Sequence, residues 1–218
     1  MCFSASASFG ASVVLAGFGV ATVKRIAKPS EMMFATIPLI FAVQQFFEGL
    51  VWVKFNNSDL FSLDTVPVYV FLFFAQVLWP FWVPLSFYFM EHNEKRKKTL
   101  MIFSIVGFIV ALFHGYCMIF FPVSAVEMPY HIQYQPIVPL RRIFLLEAMY
   151  VATIIIPPFV SSVRRMNWLG FFSLASFLIS VIYFRDEIVS VWCFFAAAIS
   201  WFVFVVMRNL RRETVMLV

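Results

Sequence analysis

IPLIFAVQQFFEGLVW, residues 37–52, is an apolar segment with the composition of a membrane helix that also carries a group of polar side chains. At about 100° per residue in a helix, Gln44, Gln45 and Glu48 fall within one arc of about 100°, while phenylalanine and aliphatic residues occupy much of the remaining surface. A carboxylate near the middle of a bilayer costs about 2.5–3.5 kcal/mol on insertion scales. We therefore expect Glu48 to face protein or trapped water, and a polar interior pocket is the first hypothesis.

The rest of the chain has the composition of an integral membrane protein. Of its 218 residues, 63% are hydrophobic and 12% are charged, and the mean hydropathy is +0.92. No soluble domain of this length has a core large enough to bury so much apolar surface. The apolar runs last about 17–25 residues and lack the two-residue alternation of barrel strands. The sequence therefore predicts a single all-α membrane domain over residues 1–218.

Seven apolar segments are predicted to span the membrane, at residues 7–23, 34–53, 66–90, 99–121, 143–160, 168–184 and 188–207. Most of the sixteen Lys and Arg residues lie in the loops after the first, third and fifth spans and in the tail. Because cytoplasmic loops are enriched in Lys and Arg, this distribution predicts a seven-helix bundle with its N-terminus outside and its C-terminus in the cytoplasm. Membrane topology thus accounts for the net charge of +5, and a nucleic acid partner is not predicted. In a six-span alternative, segment 168–184 would lie at the membrane interface.

Three further features predict how the helices pack. Small residues follow one face of the first span and one face of the last, so these two helices are expected to be neighbours. These residues are Ser4, Ser8, Ser12, Ala16, Gly19, Ser190, Cys193, Ala196, Ala197 and Ser200. Pro80 and Pro84 remove two backbone donors and predict a kink of the kind that borders cavities. The long loop 122–140 has an apolar composition, which predicts that it folds back over the bundle as a lid.

Side chains that bind metals or act in catalysis gather on the predicted outer side, and they include Cys2, Glu48, His131 and Cys193. Thiolate, imidazole and carboxylate groups are ligands of zinc, iron and copper, so one interpretation is a transition metal held by Cys2, His131 and Cys193. In an enzyme of this kind, Cys2, Glu48 and His131 are the catalytic candidates. The chain lacks the HExxH and CxxC spacings of familiar metal and thiol sites.

Cys2 offers a second kind of chemistry. If Met1 is removed, the amine and thiol of Cys2 can act together as base and nucleophile. Each candidate also has an interpretation without chemistry: Cys2 as a free or disulfide-paired cysteine, Cys193 as part of a packing face, and His131 as a solvated loop residue. For Glu48 the alternative is structural pairing with the neighbouring glutamines.

Two seven-span families are excluded by residues that the chain lacks. A retinal protein needs a Schiff-base lysine in its last span, and segment 188–207 contains no lysine. Membrane zinc hydrolases of the alkaline ceramidase kind need several inward-facing histidines, whereas this chain has three, of which His92 falls on the predicted cytoplasmic side. The sequence also shows no convincing internal repeat, so an inverted-repeat transporter is not predicted.

Three stretches resemble a family of small prokaryotic integral membrane proteins of unknown function. They are MCFSA at residues 1–5, IPLxFxxQQxxEGxxW at residues 37–52 and SVWCFFAA at residues 190–197. Residues 131–134 also resemble a His-Ile-x-Tyr loop of this family. The resemblance spans nearly the whole chain and implies a multi-helix protein of the cytoplasmic membrane. It implies no activity. The shared polar positions that it implies are Cys2, Gln44, Gln45, Glu48, His131 and Cys193.

These observations leave three interpretations of function. In the first, a small ligand or metal ion binds an outward-facing polar pocket, covered by Cys2 and the His131 loop and lined by Gln44, Gln45, Glu48 and Cys193. In the second, the protein is a membrane-embedded metal- or thiol-dependent enzyme, a hydrolase or an oxidoreductase. In the third, it is a structural subunit of a membrane complex, and the polar cluster only holds helices together. The expected partners are membrane lipid and a small molecule or metal ion, and a homo-oligomer is compatible with the sequence.

Overall fold

The computed structural model describes residues 4–56, 65–128, 131–136, 144–184 and 188–216 and is mainly helical. Within these ranges, six helical segments are long and apolar enough to cross a membrane. They are Ala5–Val23, Pro29–Phe55, Val66–Met90, Glu94–Phe120, Met166–Tyr183 and Ile188–Arg212. The predicted helical membrane architecture is confirmed at this level, whereas the count of seven spans and the orientation of the termini remain predictions.

We number the elements in chain order. The helices are α1 (Ala5–Val23), α2 (Met32–Ala35), α3 (Ile37–Asn56), α4 (Val66–Leu72), α5 (Trp79–Met90), α6 (Glu94–Phe120), α7 (Phe144–Ile155), α8 (Pro157–Val160), α9 (Met166–Tyr183), α10 (Ile188–Ile199) and α11 (Trp201–Met216). A 3₁₀ turn, Pro29–Glu31, precedes α2, and a π-helical segment, Phe73–Leu78, joins α4 to α5. The strands β1 (Val123–Met128) and β2 (His131–Pro136) pair antiparallel.

The segment predicted at residues 143–160 is the one that falls short of a full span. Helix α7 has 12 residues and α8 has 4, and Pro157 begins α8 because proline lacks the N–H that a continuous helix would need there. By contrast, Met166–Tyr183 is 18 residues long and counts among the six long helices. The segment that departs from span length is therefore the fifth, and not the sixth as the six-span alternative supposed.

Four basic segments, residues 24–28, 91–98, 161–165 and 208–212, meet at one end of the bundle, which we call the basic end. Arg211 donates to the backbone carbonyl of Lys24 at 2.8 Å, and Arg96 donates to the carbonyl of Val160 at 3.2 Å. Apolar residues at the adjoining helix ends share one buried cluster. By the positive-inside rule, this end is predicted to face the cytoplasm.

The two strands form a hairpin that packs on the opposite end of the bundle, which we call the hairpin end. Ile132 is fully buried, and the ring of Tyr134 stacks on Phe71 with centroids 4.9 Å apart. Both residues belong to a cluster with Trp52 of α3 and Cys193 of α10. The described part of the predicted loop, Val123–Met128 and His131–Pro136, thus folds back over the bundle as paired strands. Ile132 and Tyr134 are buried and alternate with partly exposed neighbours, which is the periodicity of a strand.

The small residues of α1 face α3 closely. The Ser12 hydroxyl donates to the carbonyl of Ala42 at 2.7 Å, and a Cβ added at Gly19 would lie 2.9 Å from the backbone nitrogen of Leu39. Helix α1 also contacts α11, where the rings of Phe18 and Phe204 lie 5.9 Å apart. The first and last spans are therefore neighbours as predicted, but Ser12 and Gly19 of the small-residue face pack on α3, and the contact with α11 is made by phenylalanine rings.

At the basic end, one carboxylate joins two loops. Glu91 is 2% exposed, and its oxygens accept hydrogen bonds from the backbone of His92 (3.0 Å) and Asn93 (2.8 Å), and from the backbone (2.6 Å) and hydroxyl (2.5 Å) of Ser162. Burial by itself would raise the pKa of the Glu91 carboxyl, but together these hydrogen bonds outweigh it and hold the pKa below its ordinary value of 4.5. The contact between the two loops therefore depends on an ionised carboxylate.

We expect acid to destabilise the protein through Glu91. Because the folded-state pKa lies below the unfolded one, the stabilisation is complete above the unfolded value and is lost as the pH falls through the folded value. The Glu91→Gln variant should be about 1–3 kcal/mol less stable at neutral pH and should lose less stability on acidification. Thermal unfolding in detergent at neutral and acid pH measures both effects. The control is Glu94→Gln, because Glu94 is a nearby exposed residue. If Glu91→Gln and the parent lose the same stability on acidification, the stabilising role of the Glu91 carboxylate is contradicted.

Candidate functional site

Glu48 lies in a hydrogen-bonded cluster inside the bundle, which we call the Glu48 cluster. Gln44, Gln45 and Glu48 are each 0% exposed. Gln45 Nε2 donates to Glu48 Oε2 at 3.0 Å, and the hydroxyl of Ser190 in α10 donates to Glu48 Oε1 at 2.7 Å. Gln45 meets Glu48 because residues three apart are neighbours on a helix surface. The prediction that Glu48 avoids lipid is confirmed.

Gln44 extends the Glu48 cluster to α5. Trp79 Nε1 donates to Gln44 Oε1 at 2.7 Å, and the indole ring stacks on Phe41 with centroids 4.1 Å apart. A buried indole N–H usually finds an acceptor, which explains why Trp79 turns towards the glutamine. Gln45 Oε1, in contrast, has no hydrogen-bond partner among the described residues. An unpaired buried polar atom costs about 1–3 kcal/mol unless a water or ligand supplies the partner.

Cys193 completes the Glu48 cluster from α10. Its side chain is 7% exposed and lies beside Glu48 and Gln44, one helical turn after Ser190. The same face of α10 therefore supplies both the hydroxyl that binds Glu48 and the thiol. Tyr150 of α7 also lies near Cys193 and lines the same cavity. The cluster thus joins side chains of α3, α5, α7 and α10.

A cavity of about 70 Å³ lies beside the Glu48 cluster, and Trp79, Tyr150 and Cys193 form part of its wall. This volume holds more than one water molecule, but it is smaller than the cavity of about 150 Å³ that accepts a benzene ring. The wall is mainly apolar and extends from the cluster towards the basic end, since it also includes Ile37, Phe87, Pro158, Leu169 and Val203.

Three interrupted helices surround this cavity. The π-helical segment Phe73–Leu78 leads directly into Trp79, the break between α7 and α8 lies between the lining residues Ile154 and Pro158, and the break between α10 and α11 is at the lining residue Ser200. The Tyr150 hydroxyl donates to a backbone carbonyl within the π-helical segment. In membranes, irregular backbone is tolerated where it is buried in protein or lines a cavity. The sequence predicted a kink at Pro80 and Pro84, whereas the irregular backbone of the third span is a π-helical segment, Phe73–Leu78, that ends before the first proline.

The predicted ligand-binding residues lie together, as expected, but most of them do not line the cavity. Gln44, Gln45, Glu48 and Cys193 form one cluster, but of these four only Cys193 lies in the wall of the cavity. The cavity also extends towards the basic end, whereas the sequence predicted a pocket that opens on the outer side. The polar side chains pair with one another across α3, α5 and α10, so most of their atoms are already occupied.

The remaining predicted site residues lie elsewhere or outside the described residues. His131 is the first residue of β2, and its ring lies against Phe184 with centroids 6.2 Å apart. Cys2 falls outside the described residues. Within the described ranges, no three side chains of His, Cys, Asp or Glu lie close enough to hold a metal ion, so His131, Cys193 and Glu48 do not form such a group. The metal site and the catalytic roles that include Cys2 stay predictions.

Sequence reasoning missed three residues of the site. Ser190 was assigned to a packing face, although its position three residues before Cys193 already placed both side chains together. Trp79 and Tyr150 were not identified as site residues. Their polar atoms need partners when buried, but which helix supplies the partner depends on packing between distant segments.

Comparisons with known proteins agree with an uncharacterised membrane family. No curated protein and no solved structure matches this chain significantly. One family profile matches residues 1–216, which confirms the expected likeness to a family without an established function. The chain belongs to the family of unknown function DUF6629.

Proposed function

We propose that this membrane protein binds a small ligand in the cavity beside the Glu48 cluster. The position of the cavity is the observation that carries this proposal. Three interrupted helices surround it, and Trp79 and Cys193 belong both to its wall and to the Glu48 cluster. Broken helices and ionisable side chains are unfavourable in a bilayer, and where they persist together they commonly mark a binding site.

A small molecule fits this site better than a metal ion does. Both Glu48 oxygens and Gln44 Oε1 already accept hydrogen bonds, so they are poorly placed to be metal ligands. The cavity wall is mainly apolar, as is typical of sites for small organic molecules. A metal-dependent or thiol-dependent enzyme would rely on Cys2. Among the described residues, no contact supports either kind of enzyme.

We also propose seven crossings, with the hairpin end outside a prokaryotic cytoplasmic membrane. Ala5 at the start of α1 packs on the cluster at the hairpin end, whereas Arg211 near the end of α11 contacts Lys24 at the basic end. A chain that begins at one end of a bundle and finishes at the other crosses an odd number of times, so α7 and α8 together supply the seventh crossing. In this orientation the cavity lies in the cytoplasmic half of the membrane.

Two alanines of α10 provide a matched test. Ala196 lines the cavity, whereas Ala198 is exposed on the outside of the bundle. In Ala196→Leu the larger side chain fills the cavity, while in Ala198→Leu it enters the lipid. We expect small compounds that raise the unfolding temperature of the parent to do the same for Ala198→Leu but not for Ala196→Leu. At a ligand concentration of 100 Kd the stabilisation is about 2.7 kcal/mol.

The measurement is a thermal-shift screen of small organic compounds on purified protein in detergent. If no compound stabilises the parent, or if Ala196→Leu responds like the parent, the ligand-binding proposal is wrong. A purely structural role for the Glu48 cluster predicts the first of these results, because it requires no ligand in the cavity.

A further inference from the structure

Three polar groups in the cavity wall are already engaged in hydrogen bonds. The indole N–H of Trp79 and the hydroxyls of Tyr150 and Ser200 each donate to a protein oxygen. Ser173 of α9 also lines the cavity, and its hydroxyl has no hydrogen-bond partner among the described residues. A hydroxyl that borders an apolar cavity is unfavourable unless it is hydrogen-bonded. Ser173 therefore carries the hydroxyl in the wall that is able to take a partner inside the cavity. The indole N–H of Trp192, which also lines the cavity, has no hydrogen-bond partner among the described residues either.

Neighbouring serines on α9 behave differently from Ser173. The hydroxyl of Ser176 donates to the carbonyl of Ser173 at 2.8 Å, and the hydroxyl of Ser180 donates to the carbonyl of Ser176 at 2.9 Å. Such bonds to the preceding turn are the usual way in which a serine is satisfied in a membrane helix. Ser173 lies on the same face of the helix, but its hydroxyl makes no such bond and borders the cavity.

The cavity wall also indicates the charge of its ligand. None of its described lining residues is Lys, Arg, His, Asp or Glu, and the carboxylate beside it is that of Glu48. An anion in the cavity would face this carboxylate without any cation to balance it. A cation would find the Glu48 oxygens already accepting hydrogen bonds from Gln45 and Ser190. Because a buried charge needs a partner, both kinds of ion are disfavoured.

We propose that the cavity binds a small uncharged molecule carrying one carbonyl or hydroxyl oxygen, and that the Ser173 hydroxyl recognises this oxygen. This inference rests on the proposed function of the cavity and adds the class of its ligand. Ser173 can donate to a carbonyl oxygen, or donate to and accept from a hydroxyl. The volume restricts the ligand, or the part of it that enters, to a group smaller than a benzene ring.

Three probes with the same branched skeleton separate these requirements: acetone, which has a carbonyl, isobutene, which lacks a polar atom, and acetate, which is charged. Saturation-transfer NMR on the protein in deuterated detergent measures the binding of each. We expect acetone to bind and acetate not to bind, whereas isobutene should bind through apolar contacts alone. In Ser173→Ala the affinity for acetone should fall about two- to tenfold, with isobutene unchanged. Ser176→Ala removes a hydroxyl that does not line the cavity and should behave like the parent.

The outcomes distinguish failure of this inference from failure of the proposed function. If Ser173→Ala binds acetone as tightly as the parent does and Ala196→Leu loses both acetone and isobutene, the cavity binds ligands but Ser173 does not recognise them. If neither binds, or if binding persists in Ala196→Leu, the proposed function itself is wrong. If acetate binds as tightly as acetone, the uncharged class is wrong. The comparison of probes on the parent decides the class even if Ser173→Ala folds poorly.

Discussion

Replacing Gly107 with alanine is expected to lower the unfolding temperature strongly and to reduce the yield of folded protein. Helix α6 crosses α5 at Gly107, where an added Cβ would lie 2.7 Å from the carbonyl carbon of Pro80 and closer still to its oxygen. These are backbone atoms, so no side chain is able to move aside, and the two helices must separate. Overpacking costs about 1–3 kcal/mol and occasionally more, and we expect this position to reach the upper end.

Other glycines provide the controls for Gly107. A Cβ added at Gly17 in α1 would meet nothing within 4 Å, and one added at Gly115 in α6 would lie 4.0 Å from Val77. Because alanine favours a helix over glycine by about 1 kcal/mol, Gly17→Ala and Gly115→Ala should be neutral or mildly stabilising. Tryptophan fluorescence during heating in one detergent compares all three variants. An unfolding temperature for Gly107→Ala equal to that of Gly17→Ala would show that the close crossing does not exist.

Replacing Glu48 with leucine is expected to destabilise the protein at least as strongly. The side chain is 0% exposed and accepts hydrogen bonds from Gln45 Nε2 and the Ser190 hydroxyl. Leucine is similar in size but leaves both donors buried without an acceptor, at a cost of about 1–3 kcal/mol each. The Glu48→Leu variant should therefore unfold at a clearly lower temperature than the parent in the same detergent.

A triple variant separates a structural role for the Glu48 cluster from a functional one. Glu48→Leu combined with Gln45→Leu and Ser190→Ala removes the acceptor together with both donors. Since apolar replacement of a whole buried polar group is often neutral or stabilising, most of the lost stability should return. If the triple variant is stable but no longer responds to ligands of the cavity, the cluster is kept for function. If it is no more stable than Glu48→Leu, the cluster holds the helices together through contacts beyond these donors.

The sequence predicted the parts of the fold that depend on local composition. The length of each apolar run determines whether a segment is able to cross a membrane, and six of the seven predicted segments became long helices. The seventh differs because Pro157 ends the hydrogen-bond ladder of α7. The hairpin was predicted as a lid without strands, because pairing between β1 and β2 is a contact between segments and leaves only a weak signal in composition.

The candidate site was predictable only where its residues are neighbours on one helix. The spacing of Gln44, Gln45 and Glu48 on α3 placed them on one face, and a carboxylate in an apolar segment must avoid lipid. Helical spacing also relates Ser190 to Cys193 on α10. Neither segment contains a pattern that predicts packing between α3 and α10, so the hydroxyl of Ser190, which binds Glu48, was missed.

What the sequence by itself determined is therefore the class of the protein, the approximate position of its helices and the burial of Glu48, because all of these follow from the local cost of placing side chains in lipid. Only the tertiary structure decided which side chains meet. The hydrogen bond from Ser190 to Glu48 joins residues 142 positions apart, and that from Trp79 to Gln44 joins residues 35 apart. The cavity, with Ser173 in its wall, likewise exists only where interrupted helices pack against one another, and such packing depends on the shapes of all the helices at once.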